Sequence, residues 1–161
     1  MESLEIFSHI KLLVCDFDGV FTDNNVIVDE NGKESVVCSR ADGMGVELLK
    51  KNGINVIVIS KERNSVVETR CEKMRIPNFY GVDEKLAVLQ QEMAKDSLQP
   101  DEVCYIGNDV NDIECMKYVV GVAVGDAFHQ VKEVAGFVTE KNGGKGAVRE
   151  LADLLLRAKQ V

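Results

Sequence analysis

Basic residues are in short supply: 19 Lys and Arg stand against 27 Asp and Glu, a formal net charge of −8. That balance argues against a nucleic-acid or anionic-membrane surface. Histidine is almost missing. His9 lies close to the start of the chain and His129 in a polar stretch, and both read as ordinary surface residues. Cys15, Cys38, Cys71, Cys104 and Cys115 form no C-x-x-C pair and have no histidine close by in sequence. This pattern fits neither a zinc site nor a disulfide framework, and suggests reduced thiols in a cytoplasmic protein. No apolar run approaches membrane-spanning length, and Met1 to Ser8 holds two glutamates without a basic region, so neither a transmembrane helix nor a signal peptide is expected. Low-complexity segments and internal repeats are also lacking. At 161 residues the expectation is a single domain, 1–161.

What is present centres on Asp16-Phe17-Asp18-Gly19. Ile10 to Cys15, interrupted only by Lys11, reads as a buried strand, so the two acids leave its carboxyl end, the edge where open α/β sheets bind ligands. Acids at i and i+2 point the same way off an extended backbone and call for a counter-charge, usually a hard divalent cation. Gly19 permits a sharp turn with the backbone close to a ligand. An EF-hand would need an oxygen ligand at its fifth position, glycine at its sixth and Glu at its twelfth. Val20, Phe21 and Ile27 stand there, which excludes it. An aspartyl nucleophile for phosphoryl transfer would instead need a hydroxyl, a lysine and further acids from later strand ends.

The rest of the chain supplies them. Val26-Ile27-Val28 and Ser35-Val36-Val37 flank Asp29-Glu30-Asn31-Gly32, which predicts a β-hairpin over 24–38. Asp42 reads as the N-cap of a helix from about 43 to 52, with Gly53 as its stop. Ile54 to Ile59 is a buried strand ending at Ser60, followed by a helix over about 64–74 that Pro77 terminates. A helix over 84–95 follows, then a strand over 103–106 that opens into Gly107-Asn108-Asp109-Val110-Asn111-Asp112 and a short helix. Strands at 121–124 and 137–138 flank a helix over about 127–134, and Gly143-Gly144-Lys145-Gly146, read as a flexible hinge without nucleotide P-loop spacing, precedes a helix over 147–159. Apolar strands alternating with amphipathic helices predict an α/β fold with a doubly wound, mostly parallel sheet, whose strand-end polar groups converge on one crevice.

Those strand ends carry Asp16, Asp18, Ser60, Asn108, Asp109 and Asp112, with Lys85 opening an intervening helix. Each has a plain structural reading: Ser60 and Asp109 as helix caps, Lys85 as a solvated lysine, Asp112 as compensation of a helix dipole. In this order, Asp16-Phe17-Asp18-Gly19-Val20-Phe21-Thr22, Ser60, Lys85 and Gly107-Asn108-Asp109 through Asp112 resemble the motifs of the haloacid dehalogenase superfamily over nearly the whole chain. Arg40 to Gly45 and Gly143 to Glu150 look like its small capless branch, phosphatases of 3-deoxy-octulosonate 8-phosphate and of nine-carbon acylneuraminate 9-phosphates. They are also similar to the phosphatase-like domain of some acylneuraminate cytidylyltransferases.

The resemblance implies that Asp16 is a nucleophile, that Asp18 is its acid and base, and that Ser60 and Lys85 hold the phosphoryl oxygens. It implies Mg²⁺ on Asp16, the Asp18 carbonyl and the Asn108-Asp109 loop, with Asp112 supporting Lys85 or a metal-bound water. Asn108 departs from the usual aspartate, which removes a negative charge and leaves a non-catalytic oligomerisation domain as an alternative. No lone acid ends the Ile54 to Ile59 strand, which disfavours a phospho-receiver domain. Glu62 stands where the octulosonate branch typically has arginine, so the expected substrate is acylneuraminate 9-phosphate, with octulosonate 8-phosphate as the alternative. Arg70 and Lys73, about two and three helical turns beyond Glu62, are expected at the substrate carboxylate. Only a hairpin and one helix fit between Asp18 and Ser60. With no cap domain, the resemblance implies a homotetramer in which hairpins pair.

Overall fold

The computed structural model describes residues 2–160, the side chains of Glu2 and Ser3 excepted. Its elements are α1 (Glu2–Glu5), β1 (Leu12–Cys15), β2 (Ile27–Val28), β3 (Glu34–Ser35), α2 (Arg40–Lys51), β4 (Asn55–Ile59), α3 (Val66–Met74) and β5 (Asn78–Phe79). The chain continues with α4 (Lys85–Lys95), β6 (Val103–Gly107), α5 (Ile113–Tyr118), β7 (Val120–Ala123), α6 (His129–Val134), β8 (Phe137–Val138) and α7 (Ala147–Ala158). Six strands form one sheet in the order β5-β4-β1-β6-β7-β8, all pairs parallel. The doubly wound expectation is met, and the order reverses between β1 and β6, where such sheets bind ligands.

The central strands are continuous apolar runs because helices cover both faces. Leu13, Val14, Cys15, Val58, Ile59 and Ile106 are fully enclosed. Among the described residues no helix is long and apolar enough to cross a membrane.

Several boundaries differ from the expectations, for local reasons. Ser39, not Asp42, is the N-cap of α2, its side chain accepting from the Ala41 amide. Asp42 lies in the first turn, fully buried, and accepts from the Arg149 amide at 2.9 Å. Arg75, in the left-handed region at φ 55°, ends α3 before Pro77 is reached. The two-residue β5 carries no periodicity to announce it; it is defined by pairing with Val58 and Ile59. The hairpin forms as a separate two-stranded ribbon, Ile27 opposite Ser35 and Val28 opposite Glu34, with Gly32 at φ 78° in its turn. The Gly143–Gly146 segment, expected as a hinge, is anchored: Gly144 donates to the Val20 carbonyl at 2.9 Å and Gly143 to Asp126 Oδ1 at 2.9 Å.

Candidate active site

β1 ends at Cys15 and delivers Asp16 to the carboxyl edge of the sheet, beside the end of β6. The Asp16 amide donates to the Ile106 carbonyl at 3.0 Å, so the ladder runs right up to the acid. Asp16 Oδ1 accepts the Phe17 amide at 2.8 Å and Lys85 Nζ at 2.9 Å. Lys85 opens α4 yet is only 4% exposed, and it also bridges to Asp112 Oδ1 at 2.9 Å. The reading of Lys85 as a solvated surface lysine is thereby excluded.

Asp112 is saturated. Besides Lys85, its Oδ1 accepts the Tyr105 hydroxyl at 2.7 Å, and its Oδ2 accepts the amides of Asn108 (3.0 Å) and Asp109 (3.3 Å). Gly107 is required here, since a Cβ would sit 2.5 Å from the Asp112 Cβ. Tyr105, wholly buried in β6, was missed by sequence reasoning. The one available signal was a phenol in an otherwise apolar strand, which when buried needs a hydrogen-bond partner.

Two aspartates share one lysine, so the enclosed cluster carries an excess negative charge. Burial raises the Asp16 carboxyl above the ordinary range and Asp112 adds to the effect, while Lys85 opposes both. Lys85 is itself raised: burial acts to lower it, and the two carboxylates outweigh that. Asp18, half-buried, is pushed up to about 6 by burial and then by Glu62, with Lys85 opposing and Glu34 adding. A proton acceptor and donor working near neutrality needs such a value.

Asn108 completes the arrangement. Its side-chain amide packs against Gly19, whose φ of 79° and missing Cβ both make the approach possible. With its nitrogen inward the amide donates to Asp16 Oδ2 at 3.1 Å and to the Asp18 carbonyl at 2.9 Å. With its oxygen inward, three oxygens converge at those same spacings. Adjacent oxygens around an octahedral magnesium at about 2.1 Å lie about 3 Å apart, so the site fits that ion. Among the described residues no group of three or more His, Cys, Asp or Glu forms a metal cluster. A cation here must therefore draw on amide and carbonyl oxygen. Asp109, expected as a ligand, uses its Oδ1 to accept the Val110 amide at 2.7 Å and caps a short 3-10 turn over Val110–Asp112.

Ser60 is buried at the end of β4, two residues beyond the partner of Cys15, and its Oγ accepts the Glu62 amide at 3.1 Å. Glu62 folds back to accept the amides of Arg63 (2.8 Å) and Asn64 (2.9 Å). Asn64 in turn donates to Glu34 of the hairpin at 3.1 Å. Glu62 and Glu34 thus stand on the Asp18 side of the crevice. Arg70 and Lys73 line a groove that Glu34 and Asn64 also border. Arg70 donates to the Ser39 carbonyl at 3.3 Å, and both residues line a basic groove of 810 Å³ between α2 and α3, with Arg40, Lys50, Lys51 and Arg75. The periodicity of α3 put Arg70 and Lys73 on one helix face, and that face borders both the α2 groove and the hairpin.

Comparison with known proteins agrees with this fold. Residues 79–151 match the family model described as haloacid dehalogenase-like hydrolase. The 3-deoxy-D-manno-octulosonate 8-phosphate phosphatase of Yersinia pestis is 37% identical over 153 residues, 94% of this chain and 82% of that protein. The same enzyme of Escherichia coli K12 is 36% identical over 152 residues, 93% and 81% of the two chains. The crystal structure of the Yersinia pestis phosphatase superposes with a TM-score of 0.96 at 34% identity, covering 99% of this chain and 87% of that one. That of Moraxella catarrhalis, solved with magnesium, phosphate and 3-deoxy-D-manno-octulosonate (KDO), gives 0.95 at 31%, covering 99% and 92%.

Proposed function

The chain belongs to the haloacid dehalogenase-like hydrolases and is a phosphatase, and from that premise we propose that it hydrolyses a sugar-acid phosphate through an Asp16 aspartyl phosphate. The observation that carries the reading is the buried Asp16–Lys85–Asp112 bridge beside three converging oxygens. Asp16 attacks phosphorus in line, and the ester P–O bond breaks with its electron pair on the sugar oxygen. Asp18 gives that oxygen its proton. The Asp18 carboxylate then takes a proton from water, whose oxygen attacks phosphorus and releases Asp16 with phosphate. Ser60 and Lys85 hold the phosphoryl oxygens. Asp16, the Asp18 carbonyl and Asn108 would hold magnesium, which would supply positive charge to offset the repulsion between the nucleophile and a phosphate dianion. The Asn108 substitution leaves every other part in place, which favours a working enzyme over an inert domain.

The relatives favour 3-deoxy-D-manno-octulosonate 8-phosphate as substrate over the acylneuraminate 9-phosphate expected from Glu62. Glu62 keeps the nine-carbon reading as the second one, because a carboxylate near Asp18 accepts hydrogen bonds from hydroxyl or amide groups and repels a sugar carboxylate. The two are separated by kcat/KM with Mg²⁺ on both phosphates, in wild type and Glu62→Arg. Preference for the eight-carbon substrate supports the first reading. Preference for the nine-carbon substrate that Glu62→Arg diminishes overturns it in favour of the second, and turnover of neither overturns both. The same proposal includes a homotetramer joined through its hairpins.

A further inference from the structure

Two stretches that the chemistry leaves unused, Arg40–Gly45 and Gly143–Glu150, meet in space. The fully buried Asp42 of α2 accepts the Arg149 amide through Oδ1 at 2.9 Å, across 107 residues of chain. The amides of Gly146 and Val148, at the amino end of α7, face the same carboxylate, and that end of a helix favours an anion. Gly45 lets the helices close, since a Cβ there would lie 3.0 Å from the Arg149 Cα.

The amino end of α7 continues backward into the Gly143–Gly144 loop, which lies on the turn after Asp16 and Asp18. Gly144 donates to the Val20 carbonyl at 2.9 Å. A Cβ at Gly143 would collide with the Gly19 carbonyl, and one at Gly144 would stand 2.5 Å from the Asp23 nitrogen. The backbone that presents the Asp18 carbonyl and Gly19 is thus backed by a loop with no slack, whose far end is tied to Asp42.

Keeping Asp42 there is costly. Its Oδ2 has no hydrogen-bond partner among the described residues, and neither has the buried Nε of Arg70, the cation on its α3 side. Capping a helix needs only a serine or asparagine. A buried carboxylate, with its stronger charge-assisted bond, fixes where the helix sits.

We infer that Asp42 is a positioning residue for phosphoryl transfer, setting the Asp16–Thr22 turn through the amino end of α7 and the Gly143–Gly144 loop. The inference rests on the reading of Asp16 and Asp18 as the reacting pair. The experiment measures kcat and KM of Asp42→Ala, Asp42→Asn, Gly144→Ala and the Asp42→Ala/Gly144→Ala double variant, with folding checked by circular dichroism. Small displacements of a catalytic group cost about 10- to 100-fold in rate. Asp42→Ala and Gly144→Ala should each lose roughly 10-fold or more in kcat with KM within about twofold, and Asp42→Asn, which keeps an acceptor for Arg149, should recover part. The double variant should lose less than the product of the two single losses, because both act through one loop. Wild-type kcat in folded Asp42→Ala, or fully multiplicative losses, overturns the inference. If Asp42→Ala does not fold, wild-type kcat in both Asp42→Asn and Gly144→Ala overturns it. Asp16→Asn is the control: substantial turnover in that variant defeats the reading of the site itself, whatever Asp42 does.

Discussion

The crevice between β1 and β6 and the hairpin of β2 and β3 treat polarity in opposite ways. In the crevice, Asp16, Lys85 and Asp112 are buried and satisfy one another, with Tyr105 and two backbone amides filling what remains. On the hairpin, Ile27 is 62% exposed, Val28 57% and Val37 60%, and its two short strands pair with nothing but each other. One region satisfies its buried charges within the chain. The other leaves an apolar row exposed, and an isolated two-stranded ribbon of that kind is marginal in water. The comparison teaches that the buried polar groups of the crevice find their partners within one chain, while the hairpin leaves apolar side chains in solvent.

Removing the proposed nucleophile should break the crevice most completely. Asp16→Asn keeps the shape of the side chain, so the fold should persist while turnover falls by roughly 10³-fold or more. Steady-state assay beside circular dichroism checks this, and a variant with a tenth of wild-type activity would refute the assignment.

Lys85→Met tests whether the buried charges depend on one another. It strands Asp16 and Asp112 without their cation, for which the expected loss is roughly 3–5 kcal/mol by denaturant unfolding. The raised Asp16 carboxyl gives the sign of the pH effect. A protonated Asp16 relieves the repulsion, so the variant should be least destabilised at low pH and more so as pH rises. A loss that does not depend on pH would show that the pair is not coupled through Lys85.

The hairpin should respond in the contrary way. Ile27→Asp should change the unfolding free energy of the subunit by no more than about 0.5 kcal/mol, since the side chain is exposed. Sedimentation should nevertheless show smaller species than wild type. A wild type that is monomeric and fully active on dilution would remove the hairpin from any role in assembly.

The smallest effect is expected at Asn108. Restoring a full charge with Asn108→Asp should lower the Mg²⁺ concentration for half-maximal activity by a few-fold, because a carboxylate binds a hard cation more tightly than an amide oxygen does. Activity titrated against Mg²⁺ measures it. An unchanged requirement would mean that Asn108 does not face the ion.

By itself the sequence determined the alternation of strands and helices, the hairpin at Asn31-Gly32, and the placing of Asp16, Asp18, Ser60 and Asn108 at strand ends. These follow from local periodicity and turn chemistry, which a short window of residues carries. Tertiary structure alone decided which groups touch. Lys85 reaches Asp16 across 69 residues and Asp112 across 27, and nothing in a helix-opening lysine announces that. Arg70 and Lys73 have the spacing to share a face, but only packing decides that this face lies between α2 and the hairpin. Asp42 has the residue type and position of a cap for its own helix, yet it serves the terminal one. The physical reason is common to all three. Backbone preference is set by neighbours in sequence, whereas the partner of a buried charge is set by sheet order and helix packing, which bring together residues that no local pattern links.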